Sequence, residues 1–167
     1  MLTSHELLGF MSPGLALEIL TSMYEDDKAI YRTTLGAVAE VRKVRPVFLE
    51  RQPKPQRHAA MLATLARPAL EAVTANLIRA WLLKKYKQML CDFLDGLGIA
   101  HTDGVVDDLP STIDDSKLHA SIDSLLAKYP REVVAVYLHA FQGMNEVEWP
   151  NLKSMLESDK RLELGAA

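Results

Sequence analysis

A chain of 167 residues, about half of them apolar and a quarter charged, carries enough core-forming surface for one folded domain and is not a disordered polymer. Its one cysteine, Cys91, excludes an intramolecular disulfide and a cysteine-based metal cluster, and suits a reducing cytoplasm. The formal net charge is only −3, which argues against strong long-range attraction to a polyanion.

Residues 1–14, MLTSHELLGFMSPG, include no Lys or Arg and so lack the basic start of a secretory signal. Ser12 followed by Pro13 reads as an N-cap and a first helical residue, opening a helix to about Glu25 whose apolar stripe is Leu15, Ile19, Leu20 and Met23. Asp26 or Asp27 caps the next helix, with Ile30, Thr34, Ala37, Val38 and Val41 on its inner side. That helix must stop near Arg45 because Pro46 follows. A short helical turn, PVFLER, comes next. Pro53 and Pro55 then break the chain before the small-residue helix QRHAAMLATLA.

The longest helical stretch, 69–97, changes its apolar side midway. Leu70, Val73, Leu77 and Trp81 share one side. Leu82, Tyr86, Met89, Phe93 and Leu97 share a nearly opposite one. Either one straight central helix meets two sets of partners, or the chain kinks near 79–84. A two-sided straight helix is also a reason to expect a partner or a second copy completing its cover.

Residues 101–115 form an acidic loop containing Asp103, Asp107, Asp108, Asp114 and Asp115, and 99–113 is the candidate boundary within an otherwise single domain. Asp103-Gly104 resembles a hairpin turn, but its flanks are short for strands. Asp114 or Asp115 caps an amphipathic helix bearing Leu118, Ile122, Leu125, Leu126 and Tyr129. Pro130 opens a helix, EVVAVYLHAF, that is apolar nearly all round and should be the most buried. A last helix spans 149–157, and the tail 160–167 is expected to fray. The fold class is therefore all-α: an irregular bundle of seven or eight helices around one long central helix. No apolar run reaches the roughly 18 residues that cross a membrane, so no membrane association is expected.

Charge is sorted along this chain. Residues 1–27 hold five acids and no Lys or Arg; residues 28–87 hold thirteen Lys plus Arg and three acids; residues 88–167 hold six Lys plus Arg and fourteen acids. The densest cationic stretch contains Arg42, Lys43, Arg45, Arg51, Lys54 and Arg57, the candidate surface for a partner or polyanion. If the acidic arms wrap the basic middle, its charges cancel locally. Otherwise the basic segment faces a protein partner, a second copy, or phosphates. Nucleic acid is the weaker of these expectations, because Phe48 is the one aromatic residue inside the block and single-strand grooves interleave aromatics with cations. Lys84, Lys85 and Lys87 around Tyr86 read as a solvated face.

No catalytic, cofactor-binding or metal-binding set stands out. The five histidines include no zinc-ligand pair at helical spacing. His139, on the apolar helix, reads as a core residue bonded to a carbonyl or carboxylate, and His119 as an ion-pair partner of Asp115 and Asp123. Acids beside Cys91 argue against an activated thiol, and the acidic loop lacks EF-hand order. The leading expectation is a non-enzymatic protein-interaction or self-associating module. Polyanion binding through 42–57 is the alternative, and a small-molecule protein or enzyme with a pocket near His139 and Tyr137 is the second.

Overall fold

The first helix comes from a signal the apolar periodicity misses. In the computed structural model, which describes residues 2–145 and 148–165, helix α1 spans Ser4–Phe10. The Glu6 carboxylate accepts from the Thr3 backbone N–H at 2.9 Å and from its hydroxyl at 2.8 Å, in the Thr-x-x-Glu arrangement of a capping box. Glu71 completes the cap from the start of a distant helix, accepting from the backbone N–H groups of Ser4 and His5, each at 2.8 Å.

The expected caps then appear in order. Helix α2 (Pro13–Asp26) has Ser12 accepting from the Leu15 N–H at 3.3 Å, and α3 (Lys28–Arg42) has Asp27 accepting from Ile30 at 3.2 Å. α3 ends three residues before Arg45, because Lys43 turns left-handed at φ 57°. Helices α4 (Pro46–Glu50) and α5 (Lys54–Leu65) follow, then a 3-10 turn at Pro68–Leu70.

The long central helix is corrected. It is two helices, α6 (Glu71–Lys85) and α7 (Lys87–Leu97), divided at Tyr86, whose backbone lies at φ −123° and ψ 27°. Contacts along the chain group it into two compact units, 2–81 and 82 onward, and that division falls where the apolar side of 69–97 switches. Leu70, Leu77, Ile78 and Trp81 are buried on the earlier side of it, and Leu82, Met89, Leu90, Phe93, Leu94 and Leu97 on the later side. Both sides are covered, so the two-sided pattern no longer argues for a missing partner.

In the unit 2–81, α3 contacts α2, α4 and α5, while α1 and α2 both contact α5. Tyr31 and His58 meet near the starts of α3 and α5, and Arg42 and Thr64 meet near their ends. The two helices therefore run in the same direction, with α4 in the return connection. Leu7, Ile19, Leu20, Met23, Val38, Met61 and Leu65 form the core. Among the described residues, no single helix is long and apolar enough to cross a membrane. Only α1 and α2 together reach that length and composition, and they are bent by 120° with Leu7, Ile19, Leu20 and Met23 buried.

The second unit adds α8 (Asp115–Lys128), α9 (Arg131–Met144), α10 (Pro150–Ser158) and a 3-10 turn at Lys160–Leu162. Ten α-helices are present among the described residues, more than the expected seven or eight because α1 was unforeseen and 69–97 divides in two. Residues 133–142 of α9 are all buried, as its all-round apolar pattern requires. Gly96 lets α8 approach α7 closely: a Cβ there would lie 2.8 Å from the Ser121 hydroxyl, which donates to the Phe93 carbonyl. The 99–113 loop lies inside this unit, and its Asp103-Gly104 turn forms one isolated bridge, Thr102 with Val105, rather than a hairpin.

The frayed tail is corrected as far as Leu162. That residue is fully buried, and the Arg131 guanidinium donates to the Lys160 and Arg161 carbonyls at 3.0 and 3.2 Å. Residues 166 and 167 lie outside the described residues. The expected His119 pairing is replaced: Asp115 accepts from Asn151, and Asp123 accepts from Arg161.

Asp92 ties α7 to the end of α8. It accepts from Lys128 Nζ at 2.8 Å, and from the Tyr129 hydroxyl, and these bonds hold its carboxyl down at about 2. A lowered carboxylate pKa stabilises the fold above the unfolded value of 3.8, and that contribution is lost as pH falls from 3.8 through 2. Asp92→Asn is therefore expected to lower the thermal midpoint at pH 7 and to flatten this acid limb, checked by calorimetry across pH 2 to 7.

Candidate functional site

The basic segment folds as the end of α3, the whole of α4 and the start of α5, and these elements separate its six cations. Arg42, Lys43, Arg45, Arg51 and Lys54 are exposed and Arg57 is half-buried. None of the six is held in an ion pair among the described residues.

α4 explains why an apolar patch lies among them. Pro46 pre-sets its first residue, and the Phe48 N–H donates to the Arg45 carbonyl at 2.9 Å. A five-residue helix advances about 100° per residue, so its three successive apolar side chains cannot all face inward. Leu49 takes the core position at 1% exposure, leaving Val47 at 43% and Phe48 at 55%. Both line a groove of about 610 Å³ with Val44, Pro53, Gln52 and the two arginines that bracket the helix, Arg45 and Arg51.

Lys54 and Arg57 are drawn elsewhere. Lys54 Nζ lies 4.7 Å from the ring centre of Tyr24, and the Arg57 guanidinium lies 5.5 Å from Tyr24 and 5.9 Å from Tyr31. Arg57 Nη1 also donates to the Glu50 carbonyl at 3.1 Å, bracing α4 against α5. Beneath them His58 is 1% exposed and shares a 2.8 Å hydrogen bond with the Tyr31 hydroxyl. Burial, reinforced by Arg57 and Lys54, lowers the His58 pKa to about 4, so the ring is neutral at pH 7. Burial likewise pushes the Tyr31 phenol up. Arg42 reaches Thr64 at 3.3 Å, and Lys43 occupies the left-handed cap of α3.

The segment thus presents two cation–aromatic surfaces rather than one line of charge: Arg45 and Arg51 with Phe48, and Lys54 and Arg57 with Tyr24. Tyr24 comes from the acidic arm and was invisible to a reading of 42–57 alone. The exposure of Phe48 was legible in principle, since a five-residue helix bounded by prolines cannot bury PVFLE on every side.

The other candidates lie in the unit from residue 82 onward. Tyr137 and His139 are 1% and 5% exposed; Tyr137 packs edge-on to Phe93 and Phe141, and His139 Nε2 lies 3.3 Å from the Leu162 carbonyl. Cys91 is raised, chiefly by burial and then by Asp95 and Asp103. Lys84, Lys85 and Lys87 are exposed. No group of three or more His, Cys, Asp or Glu side chains converges as a metal site among the described residues. Comparison with protein-family models, curated proteins and solved structures returns no match, so the chemistry of the site alone carries the functional argument.

Proposed function

We propose that this chain is a non-enzymatic protein-interaction module whose docking face is the α4 groove. The observation that carries the reading is an exposed apolar floor, Val47 and Phe48, rimmed by two arginines without a carboxylate partner among the described residues. Covering the half of each side chain that is still exposed returns about half of the roughly 1.5–3 kcal/mol that full burial yields, and rim charges select the sign of the partner. The matching ligand is a segment with bulky apolar anchors flanked by Asp or Glu, the mode in which apolar side chains seat in a groove while carboxylates meet arginine forks.

A second reading, nucleic-acid or other polyanion binding, draws support from the same aromatics. Phe48 between Arg45 and Arg51, and Tyr24 beside Lys54 and Arg57, resemble the stacking platforms of single-strand binders. The apolar lining by Val44, Val47 and Pro53 favours the protein partner.

Fluorescence anisotropy separates the two. A labelled amphipathic Glu/Leu helix peptide and a labelled oligo-dT strand are titrated with the protein at physiological salt. Peptide binding that weakens at least about tenfold in Phe48→Ala and in Arg51→Ala supports docking. Tighter binding of oligo-dT, lost steeply with added salt and in the same variants, transfers the site to the polyanion reading.

A further inference from the structure

Resting on that reading of the groove, we propose that its occupant is the 103–109 loop of a second copy of this chain. The loop mirrors the groove. Val105 is exposed at 37%, the one large apolar side chain so exposed among the described residues after 81. Asp103, Asp107 and Asp108 around it are exposed and hold no side-chain hydrogen bond or ion pair among the described residues. An exposed valine with three unpaired aspartates within three positions of it matches, in a second molecule, an exposed Phe48 between two arginines unpaired among the described residues. Charge complementarity of this kind sets both pairing and orientation.

The loop is also held ready. Asp103 and Gly104 both have positive φ, 52° and 85°, and close a tight turn bridged by Thr102 and Val105. The Gly104 N–H donates to His101 Nδ1 at 3.1 Å, so His101 Nε2 carries the proton it shares with Asp95 at 2.7 Å. Any Cβ at position 104 would lie 2.8 Å from the Leu90 Cβ, so the turn sits directly on α7. Beyond the turn, the Trp149 indole donates to the Pro110 carbonyl at 2.8 Å. A segment pinned on both sides loses little freedom on docking. Because one short loop enters one groove of about 610 Å³, the association is weak.

Sedimentation velocity on the full chain, from micromolar to several hundred micromolar, tests this. The wild-type protein is expected to associate with rising concentration, and less so in high salt. Arg45→Glu with Arg51→Glu, and separately Asp107→Lys with Asp108→Lys, each weaken association at least about tenfold. An equimolar mixture of the two charge-reversed proteins associates again. All four positions are exposed, and circular dichroism verifies that the variants are folded. A labelled peptide of residues 101–112 binds the wild-type protein and not the Arg45/Arg51 variant. A wild-type protein that stays monomeric and ignores this peptide overturns the proposal, as does self-association that either charge reversal leaves unchanged. The docking reading stands separately if that monomer still binds the Glu/Leu peptide, and falls with the proposal if it binds neither.

Discussion

Trp149→Ala is expected to cost about 3–5 kcal/mol of unfolding free energy, the largest loss from any single truncation proposed for this protein. Trp149 is 1% exposed and stacks at a tilt on Phe141, with ring centres 5.3 Å apart. It is also a polar junction. Its indole N–H donates to the Pro110 carbonyl at 2.8 Å, its backbone N–H donates to Gln142 Oε1 at 3.2 Å, and its carbonyl accepts from Gln142 Nε2 at 3.4 Å. Alanine leaves the backbone bonds but opens a cavity beside Phe141 and removes the donor to the Pro110 carbonyl. Trp149→Phe keeps most of the packing and loses the bond to the Pro110 carbonyl, so it should cost about 0.5–1.5 kcal/mol. Urea denaturation followed by circular dichroism measures both. A Trp149→Ala cost below that of Trp149→Phe would show that packing on Phe141 is not what the indole supplies.

Acidification from pH 6.5 to 4 is expected to remove up to about 3 kcal/mol through His58 alone. Its folded pKa of about 4 lies below the ordinary value of 6.5, first because the ring is buried and then because Arg57 and Lys54 stand nearby. Between those two pH values the unfolded chain binds a proton that the folded chain refuses. Stability therefore falls as pH drops through 6.5 and stops falling, for this group, below about 4. His139, also lowered by burial, acts in the same direction, so the His58 share is read from a variant rather than from the wild-type curve. His58→Gln preserves an acceptor for the Tyr31 hydroxyl and carries no titratable ring. Its stability should be nearly flat relative to wild type across that window. Parallel curves for the two proteins would mean that His58 protonates freely in the folded state. Asp92 titrates lower, between 3.8 and 2, and does not overlap.

Acid sensitivity and the candidate site are linked in space. Arg57 and Lys54, which lie over the Tyr24 ring, also lower His58 beneath them. A positive charge at His58, the third after Arg57 and Lys54, would crowd the surface that α5 presents beside the groove.

Much of the element order was legible because its causes are local. Ser12-Pro13, Asp27, Asp114 and Pro130 start helices by satisfying or removing backbone N–H groups within one turn, and the structure uses each of them at a helix start. The apolar faces of α8 and α9 follow from 3.6-residue periodicity in the same way. α1 was missed although Thr3 and Glu6 spell a capping box, because its apolar pattern is too short to register. The break at Tyr86 was half legible. Residues 69–97 showed that the apolar side must switch, but a switch of face does not say whether the helix bends or is clasped from both sides.

The six cations were legible as a block and not as a site. Sequence alone determined that this protein is helical, where most helices begin, and that positive charge concentrates in its middle third, since all three are set by neighbouring residues and simple counts. Tertiary structure decided that Arg45 and Arg51 flank an exposed Phe48, that Tyr24 crosses from the acidic arm to meet Lys54 and Arg57, and that no carboxylate pairs with the six among the described residues. The physical reason is that charge and hydrophobicity belong to residues, whereas exposure and partnership depend on which side of one helix is covered by another.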